Sequence, residues 1–239
     1  MIPRTIHYCW FGRGEMPEQA KQCIASWHKF MPDYEYRRWN EDYFDVAQNA
    51  YAKEAYDAHK FAFVSDYVRL WALECEGGIY LDTDVEVLKP LDDLLDYHAF
   101  AGFEGSKHLP VGTCVMASEA HGEWVKEQLE AYRDRHFLKG DGSFDLTTNV
   151  QFISAKMREH GFVQNGVEQD YKDLHVFPVE FFSPRQTTGE YFRTMNTYCD
   201  HLGLGTWDGK QQGWKARLAK LVGPKNMIRL IKTKRYLFG

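Results

Sequence analysis

Apolar and polar positions follow a strand-like alternation at the amino terminus and change to a helix-like period soon after. Thr5 to Trp10 alternates imperfectly between Pro3 and the glycines Gly12 and Gly14, which predicts a strand running into a glycine-containing loop. Glu18 to Phe30 places Ala20, Cys23, Ile24 and Trp27 on one stripe and predicts a helix. Pro32-Asp33 marks a turn, Tyr34 to Trp39 a second strand, and Glu41 to His59 a mostly helical stretch rich in Ala and Tyr. Phe61 to Glu76 carries Phe61, Val64, Val68, Trp71 and Leu73, enough apolar surface for a largely buried helix. Gly77-Gly78 ends it. The short apolar run Ile79-Tyr80-Leu81 then opens into Asp82-Thr83-Asp84, and Val85 to Leu88 continues as a strand until Lys89-Pro90.

Further along, the pattern predicts a helical turn at Leu91 to Leu95 and strands at Phe100 to Phe103 and Thr113 to Ala117. A helix over Glu123 to His136, a loop over Leu138 to Phe144 and a helix over Thr147 to His160 follow. The second helix opens on the capping sequence Thr147-Thr148-Asn149. Leu174 to Val179 is a strand, Ser183 to Phe192 is irregular, and Asn196 to Trp207 is glycine-rich. Trp214 to Leu237 reads as a basic, partly amphipathic helix interrupted at Gly223-Pro224. Strands alternating with helices over the first hundred or so residues predict an α/β sheet, with any ligand bound beyond the carboxyl ends of its strands. Residues 1–208 are expected to form one catalytic-size domain and 209–239 a separate basic tail.

Composition sharpens this division. The net charge of -5 hides an asymmetry, because nine of the 29 Lys and Arg residues and none of the 34 acids lie from Lys210 onward. An acidic body argues against nucleic acid as a partner. The basic tail, interleaved with Trp214, Leu218, Leu221, Ile228 and Ile231, suits an anionic membrane surface. That places the protein in the cytoplasm, peripherally on the inner face of the membrane. The five cysteines form no C-x-x-C pair and fit a reducing compartment rather than a disulfide framework or a zinc site. The amino-terminal stretch lacks the apolar run of a signal peptide, and no stretch approaches a membrane span.

The candidate chemistry centres on Asp82 and Asp84. Two carboxylates at the end of a buried strand are costly unless positive charge sits between them. Oxygen ligands suit Mg²⁺ or Mn²⁺, and such an ion commonly completes its shell with phosphates. Asp66 and Arg69 share a helix face three residues apart, which is either a surface ion pair or part of the same site. Trp10, His7, Tyr80 and His201, each taken alone, are as well explained by packing or structural hydrogen bonds.

Taken together, Ile2-Pro3-Arg4-Thr5-Ile6-His7 with Trp10, Ser65-Asp66 with Arg69, and Gly77-Gly78-Ile79-Tyr80-Leu81-Asp82-Thr83-Asp84-Val85 resemble the DXD-containing sugar transferases of glycosyltransferase family 32. That family includes bacterial capsular-polysaccharide enzymes and Och1-like mannosyltransferases, and clostridial glucosylating toxins are more distant relatives. His201 with Thr206-Trp207 is similar to the family's closing His…Ser-Trp element, with Thr in place of Ser. The resemblance implies a GT-A fold, a Rossmann-like mixed sheet with flanking helices. It also implies a retaining, metal-dependent hexosyl transfer from a nucleotide-sugar, UDP-hexose being favoured and GDP-mannose the alternative. The acceptor it suggests is a glycan or a polyprenyl-diphosphate-linked sugar in surface polysaccharide synthesis. Carried over by position, Trp10 would lie against the base, and Asp66 and Arg69 would hold the donor sugar. Asp82 would contact ribose, sugar or metal, Asp84 and His201 would serve the metal, and Thr206 and Trp207 would close over the diphosphate.

Two other functions compete. Ile79 to Val85 also matches the opening of HAD-like phosphatases, where Asp82 would be the nucleophile. That motif normally begins its chain, whereas about eighty residues precede it here. A non-catalytic protein that binds sugar nucleotides or glycans is the second alternative.

Overall fold

The computed structural model describes residues 1–105, 110–185 and 191–204. Thr206, Trp207 and the basic tail lie outside them. Seven strands form one mixed sheet in the order β2-β1-β3-β6-β5-β8-β7. These are β1 (Thr5–Cys9), β2 (Glu35–Trp39), β3 (Gly78–Leu81), β5 (Ala99–Phe103), β6 (Val111–Ser118), β7 (Gln169–Tyr171) and β8 (Leu174–Phe177). β1 runs parallel to both β2 and β3, while β6 is antiparallel to both β3 and β5. The mixed α/β sheet expected from the sequence is therefore present. Two further strands, β4 (Val85–Val87) and β9 (Cys199–His201), form a separate antiparallel ribbon.

Helices cover the sheet on both faces. On one side α2 (Ala50–Asp57), α3 (Phe61–Glu76), α4 (Glu123–Glu130) and α5 (Asn149–Glu159) bury Tyr51, Val64, Val68, Trp124 and Ile153 against Tyr80, Met116 and Val176. On the other, α1 (Glu18–Phe30) and the β4–β9 ribbon bury Trp27, Val85 and Cys199 against Ile6, Ile79 and Leu81. Consecutive residues of β3 thus enter different cores. A strand with two buried faces reads as an unbroken apolar run, as Ile79-Tyr80-Leu81 does.

Gly77-Gly78 is the joint between α3 and β3. Gly77 has φ 65° and ψ −172°, an extended positive-φ conformation open essentially to glycine alone, and a Cβ there would meet the Ala120 backbone nitrogen at 2.6 Å. At Gly78 (φ 110°), a Cβ would lie 2.6 Å from the Thr5 carbonyl oxygen. The pair lets the chain leave the helix and pass directly beside β1.

Several boundaries differ from the sequence pattern. The stretch expected to be helical from Glu41 is broken into a 3₁₀ turn at Val46–Gln48 and the shorter α2. The Asp45 side chain accepts from the Ala47 N–H and the Asn49 side chain from the Ala52 N–H, so each residue starts an element instead of continuing one. The helix expected to reach His136 stops at Glu130. α5 is capped by Thr148, which forms a reciprocal capping box with Gln151 and leaves Asn149 as a buried first residue. Strands β7 and β9, three residues each, have no periodicity from which to be expected.

Candidate active site

The parallel pairing of β1 with β3 sets the carboxyl ends of both strands at one edge of the sheet, so Trp10 and Asp82 emerge on the same side. Asp82 still belongs to the sheet through its N–H, which donates to the Cys114 carbonyl at 2.9 Å. The chain then turns tightly, with the Val85 N–H donating to the Asp82 carbonyl at 3.0 Å. This turn holds Asp82 and Asp84 close together on different sides of the strand end.

Asp82 faces α3. Strand alternation puts it on the same side as Tyr80, whose hydroxyl donates to Asp82 Oδ1 at 3.0 Å. Arg69 reaches the same oxygen with Nη1 at 3.2 Å and reaches Asp66 Oδ1 with Nη2 at 3.1 Å. Nη1 also donates to the Thr113 carbonyl at 2.7 Å and Nε to the Ser65 carbonyl at 3.2 Å, and the guanidinium lies 4.5 Å from the Tyr80 ring centre. The pair at positions 66 and 69 is thus an interior ion pair rather than a surface one. Burial opposes the charge on Arg69, but Asp82, Tyr80 and Asp66 outweigh it and hold the guanidinium firmly protonated. Burial pushes the Asp66 carboxyl up to about 6, although Arg69 works against this. Asn149 braces Asp66 from behind, donating from Nδ2 to its backbone carbonyl at 3.2 Å and accepting from the Tyr132 hydroxyl at 3.1 Å.

Asp84 faces the ribbon. His201 lies opposite Val85 in the β4–β9 register, and its Nε2 is 3.4 Å from Asp84 Oδ1. The Leu202 N–H donates to the Asp84 carbonyl at 3.0 Å. Asp200, 1% exposed, anchors β9 by accepting from Arg185 Nε at 2.8 Å and from the Tyr191 hydroxyl at 3.0 Å. Burial works against a charged His201, yet Cys114 and Asp84 beside it raise its pKa well above the ordinary value. The cluster therefore favours positive charge at this point. Single ligand atoms of Asp82, Asp84 and His201 all lie within 4.8 Å of one another. Two carboxylates and an imidazole that gather around one point fit a divalent cation of the Mg²⁺–Mn²⁺ type.

Trp10 follows β1, half-buried, and its Nε1–H donates to the Gly14 carbonyl at 2.7 Å, so the indole is held by its own loop. His7 has the structural bond suggested for it, through Nε2 to the Gly77 carbonyl at 2.8 Å. Three residues enter the site unannounced by the pattern. They are Tyr80, which looked like packing, and Glu104 and Cys114, which sit at or within apolar strands. Their only signal is position, at or near the carboxyl-end edge next to Asp82.

A mixed sheet with an Asp-x-Asp turn after its third strand, faced by a buried Asp–Arg pair and a histidine, defines a GT-A type glycosyltransferase fold. Residues 17–101 match the glycosyltransferase sugar-binding region containing DXD motif. It is 38% identical over 80 residues to Glucan organizing enzyme 1 of Cryptococcus neoformans var. grubii, covering 30% of this chain and 22% of that protein. It is 35% identical over 103 residues to Inositol phosphoceramide mannosyltransferase 3 of Schizosaccharomyces pombe, covering 41% and 29% respectively. The chain thus spans less than a third of the length of either relative. Among solved structures, the PaToxG glycosyltransferase shares the fold with a TM-score of 0.50 at 18% identity, over 67% of this chain and 70% of that one.

Proposed function

We propose that the chain transfers a hexose from a nucleoside diphosphate sugar to a glycan or lipid-linked acceptor, with a divalent cation and with retention at the anomeric carbon. The observation that carries this is the convergence of Asp82, Asp84 and His201 at the carboxyl end of β3, beside the Asp66–Arg69 pair. Asp82, Asp84 and His201 would hold Mn²⁺ or Mg²⁺, which would neutralise the charge growing on the departing diphosphate. Arg69, fixed by five contacts and permanently charged, presents a stationary positive field at that edge. Asp66 accepts from donor-sugar hydroxyls and stabilises positive character at the anomeric carbon. Trp10 carries the base. Thr206 and Trp207 close over the diphosphate in the same proposal. No side chain is assigned as a covalent nucleophile, because a front-face displacement in which the leaving phosphate takes the acceptor's proton needs none.

UDP-hexose is the donor proposed first. The relative from Schizosaccharomyces pombe is named a mannosyltransferase acting on inositol phosphoceramide, which favours GDP-mannose and a lipid-borne acceptor as the second reading. Surface polysaccharide synthesis at the inner membrane face, through the basic segment 209–239, completes the first. Among the described residues no helix is long and apolar enough to cross a membrane.

Thermal unfolding with UDP, GDP or CMP, each with and without Mn²⁺, tests the site. A ligand that binds only the folded chain raises its midpoint. The expected result is a shift that needs Mn²⁺ and disappears in Asp84→Asn, with UDP or GDP naming the donor. An Mn²⁺-dependent shift of equal size in Asp84→Asn would remove Asp84 from the cation site. A phosphoenzyme at Asp82 would favour the phosphatase alternative, and tight donor binding without hydrolysis or transfer the binding-protein one.

A further inference from the structure

A second set of donor atoms converges on His201. A carboxylate oxygen of Glu104, the Sγ of Cys114 and a ring nitrogen of His201 all lie within 4.8 Å of one another. The three arrive on separate elements: Glu104 directly follows β5, Cys114 lies within β6, and His201 ends β9. Cys114 is 3% exposed, and its Sγ is 3.4 Å from the Ser183 hydroxyl. Gly112 makes room for the carboxylate, since a Cβ there would stand 2.9 Å from Glu104 Oε2. Burial raises the pKa of Glu104, and His201 is the first neighbour that offsets it.

The chemistry of this set differs from that of the Asp-x-Asp turn. Paired carboxylates suit hard cations, whereas a thiolate with an imidazole and a carboxylate is a donor set that Zn²⁺ and similar ions take in preference to Mg²⁺ or Mn²⁺. We propose that Glu104, Cys114 and His201 form a second cation site, selective for thiophilic divalent ions such as Zn²⁺, which shares His201 with Asp82 and Asp84. Loading it forms bonds to the ion from Cys114 Sγ, a His201 nitrogen and a Glu104 oxygen, and the protons carried by Cys114 and by the His201 imidazolium pass to solvent. A neutral imidazole has one lone pair to give, so His201 serves one site at a time. A thiophilic ion therefore takes a ligand away from the hard-cation site. This last consequence rests on the proposed donor site, while the second site itself does not.

Co²⁺ titrated into the metal-free full chain reports thiolate ligation through a sulfur-to-cobalt charge-transfer absorption. The band is expected in the wild-type chain and in the Asp82→Asn, Asp84→Asn double variant. It should persist in Cys75→Ser, where the exposed thiol is removed, and be absent in Cys114→Ser. Zn²⁺ should displace the Co²⁺, and Glu104→Gln should weaken Zn²⁺ by about tenfold or more. No band in the wild-type chain, or a band that survives Cys114→Ser, would overturn the site, as would unchanged Zn²⁺ affinity in Glu104→Gln. A separate arm measures the Mn²⁺ concentration needed for UDP binding, which Zn²⁺ should raise in the wild-type chain and not in Cys114→Ser. If neither UDP nor GDP binds, the donor-site proposal fails in that arm while the cobalt titration still decides the second site.

Discussion

His7 donates from Nε2 to the Gly77 carbonyl at 2.8 Å, and its Nδ1 accepts from the Trp39 indole N–H at 3.1 Å. Both ring nitrogens are thereby assigned, one as donor and one as acceptor, which fixes a neutral tautomer in a site that is 0% exposed. A proton on Nδ1 would face the Trp39 N–H with no acceptor. Burial accordingly lowers the His7 pKa from 6.5 to about 4. Between those values the unfolded chain binds the proton and the folded chain does not. Stability from His7 is fully present above pH 6.5 and is lost as pH falls toward 4, a change of roughly 3 kcal/mol. Unfolding measured from pH 4 to 7 in wild-type and His7→Gln chains checks this. An unchanged slope in the variant would show that His7 titrates normally.

The same contact explains Gly78. A Cβ there would press on the Thr5 carbonyl at 2.6 Å and on His7 Nε2 at 3.0 Å, at a φ of 110° that side chains rarely adopt. Neither neighbour is the free end of a flexible side chain. Gly78→Ala is expected to cost at least ~2 kcal/mol, a loss of about 4–8 °C in Tm. Gly140→Ala, where a Cβ would meet nothing within 4 Å, is the control that should change little. Equal midpoints for the two variants would show that β3 can shift away from β1 at no cost.

Asp66 contributes a slope of the opposite sign. Burial raises its folded pKa from 3.8 to about 6, so the folded chain holds a proton that the unfolded chain has released. Stability from this group therefore declines as pH rises through that window. Asp66→Asn should flatten the decline, leave the chain at least as stable as wild type at pH 7, and weaken Mn²⁺-dependent nucleotide-sugar binding. Stability would then be traded for function at one carboxylate. Because the His7 and Asp66 windows overlap, the His7 slope is best measured in the Asp66→Asn background. Marked destabilisation by Asp66→Asn at pH 7 would mean that the ion pair with Arg69 outweighs the burial cost.

Much of the central architecture was legible because it is local. The buried helix, Gly77-Gly78 and the apolar run into Asp82-Thr83-Asp84 are contiguous, and Asp66 and Arg69 lie one helical turn apart on the face that meets Tyr80. What could not be seen depends on contacts between distant segments. β9 is three residues long, too short for periodicity, and His201 reaches Asp84 only because β9 pairs with β4. Cys114 lies within the apolar run of β6 and Glu104 directly follows β5, and nothing in either segment brings the two to His201 until β5, β6 and β9 are assembled. Asn149 looked like a cap because Thr148 and Asn149 are both capping residues. The Thr148–Gln151 box takes that role and releases Asn149 to brace Asp66. The 41–59 stretch misled for the converse reason, since Asp45 and Asn49 turned out to be caps within what looked like one helix.

Trp10 carries the prediction that separates base recognition from cation binding. Its indole is half-buried and tied to the Gly14 carbonyl, on a loop at the carboxyl end of β1, while the Asp-x-Asp turn is at the end of β3. The two parts of a donor site would thus be built on neighbouring strands with separate supports, and their energetic effects should be close to independent. Loss of an aromatic face beneath a base costs about 1–3 kcal/mol, or roughly 5- to 150-fold in affinity. Trp10→Ala should weaken UDP or GDP by that factor with the Mn²⁺ requirement intact, and Trp10→Phe should recover part of the loss. Asp84→Asn should instead remove the Mn²⁺ requirement along with most of the affinity. Calorimetric titration of each variant with nucleotide, at several fixed Mn²⁺ concentrations, distinguishes the two patterns. If Trp10→Ala changes the Mn²⁺ dependence and leaves the limiting affinity untouched, Trp10 supports the cation site and the base lies elsewhere.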